Sequence, residues 1–248
     1  ELGQGQNSDV SLGFKHKQDY WYTASFYFPK EHKFYRKQSV FQFHSSEGPY
    51  HPPFHLEIFP REGLMAKIST SEGVYEDREN ACGGSVKQKI NYCEKAALDY
   101  LIMSPDELED SLGKWTDLVI HANWDKRASD DKKNKGMIEL FVNGQKKLHY
   151  EGQSMWDVGL TVMQFGIYQS KEAKTFKGKT GTLQEMKDTP TVMFYDEIWA
   201  KKKCKDLELE RLGYSCENLE SQSDDVTRPF SVFRHQQQEY IVIIKNNL

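Results

Sequence analysis

An Asn-Gly dipeptide between two strand-like runs is the local pattern that leaves a chain least choice. Here Asn143-Gly144 separates residues 137–142 from 145–148. A two-residue type I′ turn needs positive φ at both central positions, which asparagine and glycine tolerate, so the pattern specifies a β-hairpin. Much of the chain reads in the same two-residue period. Residues 21–28 are dense in aromatic and β-favouring side chains and stop at Pro29. Residues 39–44 and 54–59 follow, with a turn at 60–63 and an alternating hairpin partner at 64–70. Residues 115–124, 161–169 and 191–200 are further strands. Helical periodicity is weak before residue 200. The pattern predicts an all-β, antiparallel two-sheet sandwich, whose concave face is a natural groove for a polymer.

Other stretches break the pattern. Residues 71–113 dissolve into charge, glycine and two cysteines, an insertion long enough to suggest function, with Ser104-Pro105 marking the start of a short helix. Residues 125–135 form a charged, solvated loop. Beyond residue 200 the chain turns charged, with a helical signal at 206–212, a linker at 221–225 and a buried-type strand at 239–245. The expected organisation is a sandwich domain over 1–201 and an extension over 202–248 packed on it.

Composition narrows the function classes. Aromatics at 13% and hydrophobics at 38% supply one real core, and a formal net charge of -4 gives no global pull toward nucleic acid or anionic membrane. A mean hydropathy of -0.76 and the absence of a long apolar run exclude a transmembrane helix. Any anionic ligand needs a local basic patch. The four cysteines fall into two short-range pairs, Cys82/Cys93 and Cys204/Cys216, inside polar loops. That reads as two disulfide loops and an oxidising compartment, since zinc would call for Cys-x-x-Cys or a nearby histidine. The start at Glu1, without methionine or signal peptide, is read as a trimmed chain.

Phosphate loops, nucleophile elbows and His-Glu-x-x-His helices are all missing from the sequence. Paired glycosidase carboxylates are missing too, because adjacent Asp196 and Glu197 point to opposite faces of a strand. Asp196 is read as structural, with calcium as the candidate ion. Gln42 and His44, two apart in a strand, share a face at roughly 6 to 7 Å, while Phe41 and Phe43 turn into the layer behind. Gln164, Gly166 and Tyr168 share a face in the same way, and the glycine leaves room for something to approach the backbone. Taken alone, each is an ordinary strand face.

Taken in order, they resemble a known family. The Gln42-Phe43-His44 strand, the 115–124 strand, the Phe141-Val142-Asn143-Gly144 hairpin, the Phe165-Gly166-Ile167-Tyr168 strand and residues 194–200 look like the jelly-roll polysaccharide lyases. The set is most similar to the group of heparin lyase I and the glucuronan lyases, with alginate lyases more distant, and spans roughly residues 19–201.

The resemblance implies a concanavalin A-like jelly roll that cleaves a uronic-acid polymer by β-elimination. Gln42 would neutralise the substrate carboxylate, His44 would act as base or stabiliser, and Tyr168 as acid or as both acid and base. Donors aimed at that carboxylate stabilise the developing enolate. Arg61, Lys67 and Arg78 are candidate cations to ease loss of the Tyr168 proton; His51 and His55 are further candidates. Asn123 is a candidate carboxylate donor, and Gln164 stands where the family carries a lysine. Glu1-Leu2-Gly3 reads as the tail of the family's Arg-x-Glu-Leu strand, with the arginine cut away. The expected protein is a secreted monomer acting on an anionic polysaccharide, with no required cofactor, no nucleic acid and no membrane partner. The competing reading is a lectin-like carbohydrate-binding module without catalysis.

Overall fold

The computed structural model describes residues 13–46, 52–69, 98–127, 130–155, 160–169, 175–182, 184–185 and 191–225. Arg78, His51, Cys82, Cys93 and the strand expected at 239–245 lie outside these residues.

The described strands are β1 (Gly13–Phe14), β2 (Gln18–Tyr27), β3 (Gln38–Ser45), β4 (Phe54–Phe59), β5 (Gly63–Ile68) and β6 (Leu98–Met103). After the helix α1 (Pro105–Asp110) come β7 (Trp115–Trp124), β8 (Met137–Val142), β9 (Gln145–Glu151) and β10 (Thr161–Gln169). A small ribbon of β11 (Thr175–Phe176) and β12 (Lys179–Thr180) precedes β13 (Phe194–Lys201) and a last helix α2 (Cys216–Glu220). One antiparallel sheet runs β1-β10-β3-β4-β5-β6 and the other β13-β2-β7-β8-β9. This is the expected antiparallel jelly-roll sandwich.

Strict alternation builds the core between the sheets. Phe41, Phe43, Phe54, Leu56 and Ile58 of the six-stranded sheet face Tyr22, Ala24, Phe26, Leu118, Ile120, Trp124 and Leu140 of the other. Each large side chain removed from water in this layer contributes about 2 kcal/mol. The two buried polar tips satisfy each other, Trp124 Nε1 donating to Tyr22 Oη at 2.7 Å. At the hairpin, Asn143 has φ 49° and Gly144 φ 77°, as a type I′ turn requires.

Two stretches read otherwise in the structure than in the sequence. Leu98–Met103, inside the supposedly patternless insertion, is the edge strand of the six-stranded sheet. The helix signal beside it fits: the Glu107 N–H donates to Ser104 Oγ, and the Ser104 N–H to Glu107 Oε2, closing a capping box over α1. The helical signal at 206–212 resolves instead into two short 3-10 turns, Cys204–Leu207 and Leu209–Leu212.

Those turns and α2 cover the outer face of the five-stranded sheet. Leu207, Leu209 and Leu219 bury Trp21, Val119 and Phe141, and the Cys204–Cys216 disulfide closes the segment. The linker at 221–225 is docked rather than loose: Gln222 Nε2 donates to the Gly144 carbonyl at 2.8 Å and its Oε1 accepts from the Lys146 N–H at 2.7 Å. No helix among the described residues is long and apolar enough to cross a membrane. Replacing both Cys204 and Cys216 by serine is expected to lower stability by about 2 to 3 kcal/mol, read as a shifted denaturant midpoint. An unchanged midpoint would mean that the bridge adds nothing to the fold.

Candidate active site

The six-stranded sheet turns one face away from the core, and strand register decides which side chains meet there. Phe41 and Phe43 are buried inward, so Gln42 and His44 turn out. Gln164 of β10 stands directly opposite Gln42; on its other side Gln42 faces His55 of β4, which faces Lys67 of β5, which faces Asp99 of β6. Directly opposed residues have Cβ atoms about 5 Å apart, so these five form one polar row across five strands. Gln42 Nε2 donates to Gln164 Oε1 at 2.6 Å.

A second row lies beside it. Tyr168 is opposite Ser39, and Ser39 is opposite Glu57. Among the described residues Tyr168 is the most exposed large hydrophobic side chain, at 71%. His44 lies beyond Gln42 in the other direction, opposite Val162. Gln42 therefore sits between His44 and Tyr168 along β3. Five residues of strand, about 16 Å, separate His44 from the partner of Tyr168, too far for the two to share one proton directly.

The two histidines differ in what they can do. His44 is half-buried, and its Nδ1 lies 2.8 Å from the Ser45 carbonyl. A carbonyl only accepts, so Nδ1 carries the proton and Nε2 of the neutral ring keeps its lone pair. His55 is buried, its Nε2 is 3.4 Å from Glu57 Oε2, and among the described residues its enclosed Nδ1 makes no hydrogen bond.

Charge on this face converges on Glu57. Lys37 Nζ lies 3.2 Å and Lys67 Nζ 3.7 Å from Glu57 Oε2, and both ammonium groups sit over the Phe59 ring at 4.9 and 5.1 Å. Burial alone would raise the Glu57 carboxyl, but His55, Lys37 and Lys67 outweigh it and hold it at about 2. Lys67 also reaches Asp99 Oδ1 at 3.8 Å. It is thus buried and already countered, which corrects its expected role as a cation serving Tyr168.

Other expectations fare differently. Arg61 is exposed in the β4–β5 turn, at the Tyr168 end of the sheet. Asn123 belongs elsewhere. Its neighbours Ala122 and Trp124 are buried in the core, so Asn123 points out of the five-stranded sheet and donates to Asp19 at 3.1 Å. Sequence reasoning missed Arg36 and Lys37, although both stand in the basic run just before β3. Arg36 Nη1 donates at 3.3 Å to Gln169 Oε1, next to Tyr168.

Asp196 is exposed beside Ser25 on the outer face of the other sheet. Among the described residues, the side chains with converging metal-type donors are Glu139, His149 and Asp224. Lys146 Nζ sits 2.7 Å from Glu139 Oε1 and 2.6 Å from Asp224 Oδ1, so an ammonium already holds the place of a cation.

A family model described as polysaccharide lyase matches residues 2–199. The chain belongs to the polysaccharide lyase family. No curated protein matches this lyase in sequence. Among solved structures, an alginate lyase of Pseudomonas aeruginosa is similar at 13% identity, covering 77% of this chain and 68% of its own, with a TM-score of 0.40. An alginate lyase of a Chlorella virus is similar at 11% identity, covering 76% and 73%, with a TM-score of 0.44. The receptor-binding domain of botulinum neurotoxin type G also matches, at 9% identity over 80% of this chain and 38% of its own, with a TM-score of 0.35. Likenesses this distant carry no argument about substrate.

The lyase's charge hub makes a pH prediction. A carboxyl depressed to about 2 stabilises the fold above the unfolded value near 4.5 and loses that contribution as pH falls between the two. The stability gap between wild type and Glu57→Gln is therefore expected to be on the order of 2 to 3 kcal/mol at neutral pH and to shrink between about pH 4.5 and 2. Chemical denaturation across that range checks it; a gap independent of pH would contradict the ion network.

Proposed function

We propose that this lyase cleaves a uronic-acid-containing anionic polysaccharide by β-elimination on the open face of the six-stranded sheet. The observation that carries the reading is the placement of Gln42 between His44 and Tyr168 on that face. The backbone separation leaves space for a sugar ring between imidazole and phenol.

The roles follow from donor and acceptor chemistry. A carboxamide nitrogen has two N–H bonds, and Gln42 uses one on Gln164, leaving the other for the substrate carboxylate. That contact opposes the charge that builds on the carboxylate as the α-proton leaves. The proton goes to the Nε2 lone pair of His44. The electron pair forms the new carbon-carbon double bond, the bond to the glycosidic oxygen breaks, and Tyr168 gives that oxygen its proton. A phenol acting as acid keeps its proton until this step, so the pairing of Lys67 with Glu57 is no obstacle. The Cys204–Cys216 bridge fits a secreted protein working in an oxidising compartment.

Incubation with glucuronan, alginate, heparan-type and ulvan-type polymers, followed by unsaturated-uronate absorbance, tests the substrate class. Turnover on at least one is expected; none on any acidic polymer would favour a carbohydrate-binding module. Tyr168→Phe is expected to cut turnover by about 1,000-fold with an unchanged circular dichroism spectrum. Near-normal activity in that variant would remove Tyr168 from the mechanism.

A further inference from the structure

Tyr195 belongs to β13, in the sheet that does not carry the site, yet its hydroxyl meets backbone of the sheet that does. It donates to the Val40 carbonyl of β3 at 2.6 Å, with the Gly166 carbonyl of β10 as a second acceptor at 3.0 Å. It also accepts from the Gly166 N–H at 3.1 Å. Its ring packs on Phe165, centroids 5.4 Å apart. One partner would satisfy a core-facing phenol. This one holds three backbone atoms on two strands.

All three lie where the ladders beside β3 slip. Between β10 and β3 the pairing passes from Phe165↔Phe41 to Tyr168↔Ser39, three residues on one strand against two on the other. Between β3 and β4 it passes from Ser39↔Glu57 to Phe41↔Leu56, two against one. Val40 lies inside both breaks and Gly166 inside the first. Gly166 takes φ 142°, a conformation that side chains rarely adopt. The room that glycine leaves is thus used by a tyrosine hydroxyl from the core side. Burial pushes the Tyr195 phenol up, so it stays a donor.

We propose that Tyr195 is a positioning residue for the elimination, fixing through the Gly166–Val40 bulge the offset between Tyr168 and Gln42. The inference rests on the reading of Tyr168 as the acid. Tyr168 is two residues past Gly166, and Gln42 two past Val40, so the hydroxyl sits at the joint between the proton donor and the carboxylate reader. Without it, the Gly166 N–H and carbonyl are free to re-pair with β3, sliding Tyr168 along the strand. A displacement of about 1 Å is enough to cost roughly 100-fold in rate.

The test measures kcat, KM and stability for Tyr195→Phe, Tyr168→Phe, their double variant and Tyr22→Phe. Tyr22 is the control because its hydroxyl is also buried and hydrogen-bonded, but to Trp124 in the core. Tyr195→Phe is expected to lower kcat by roughly 10- to 100-fold with KM changed less than about 3-fold, and to add nothing to the residual rate of Tyr168→Phe. Tyr22→Phe is expected to lose stability while keeping kcat. A Tyr195→Phe enzyme that loses stability but keeps kcat, or whose loss persists in full in the Tyr168→Phe background, would overturn the inference. Tyr168→Phe with wild-type activity would instead overturn the acid assignment beneath it. Should Tyr195→Phe fail to fold, Gly166→Ala strains the same point and is judged by the same criteria.

Discussion

The open face depends on the register of β3 between its two neighbours. Phe41 and Phe43 lock that register from the core, where Phe43 meets Tyr22 and Trp124 at centroid distances of 4.8 Å each. A slip by one residue would bury Gln42 and His44 and expose two phenyl rings, so packing on one side of the strand determines chemistry on the other. Gln164, His55 and Lys67 then reach the same row without any local sequence signal joining them.

In the proposed mechanism the substrate carboxylate is read by an amide rather than by a bare cation. Gln42 is neutral, so holding it half-buried costs little once it is hydrogen-bonded to Gln164. The strong charges lie beside it and largely cancel: Glu57 with Lys37 and Lys67, and Lys67 with Asp99. Glu57 is the member on which the others depend, since its removal would leave the buried Lys67 with Asp99 alone at 3.8 Å.

What the sequence made legible was local. The period of two in residues 161–169 and 115–124, the Asn143-Gly144 turn, the Ser104 cap and the Cys204–Cys216 loop all rest on residues close in the chain. What escaped depended on distant partners. Asn123 alternates correctly but sits in the other sheet, which only the strand order reveals. Lys67 stands out in the sequence only as a cation near the site strands, whereas Glu57 and Asp99 reach it through pairing across β4, β5 and β6. β6 hid inside a charged stretch because Leu98–Met103 lacks clean alternation. Gly166 stands out in the sequence as room on the open face, but the group approaching it is Tyr195, 29 residues later and from the opposite sheet.

The proposed mechanism requires one sugar ring to lie over Gln42, between His44 and Tyr168. A crystal structure of the Tyr168→Phe variant with a uronate oligosaccharide of the preferred polymer tests it most directly. The expected result is a substrate carboxylate within hydrogen-bonding distance of the Gln42 amide nitrogen, with His44 Nε2 facing the α-carbon. An oligosaccharide bound elsewhere, or with its carboxylate turned away from Gln42, would contradict it.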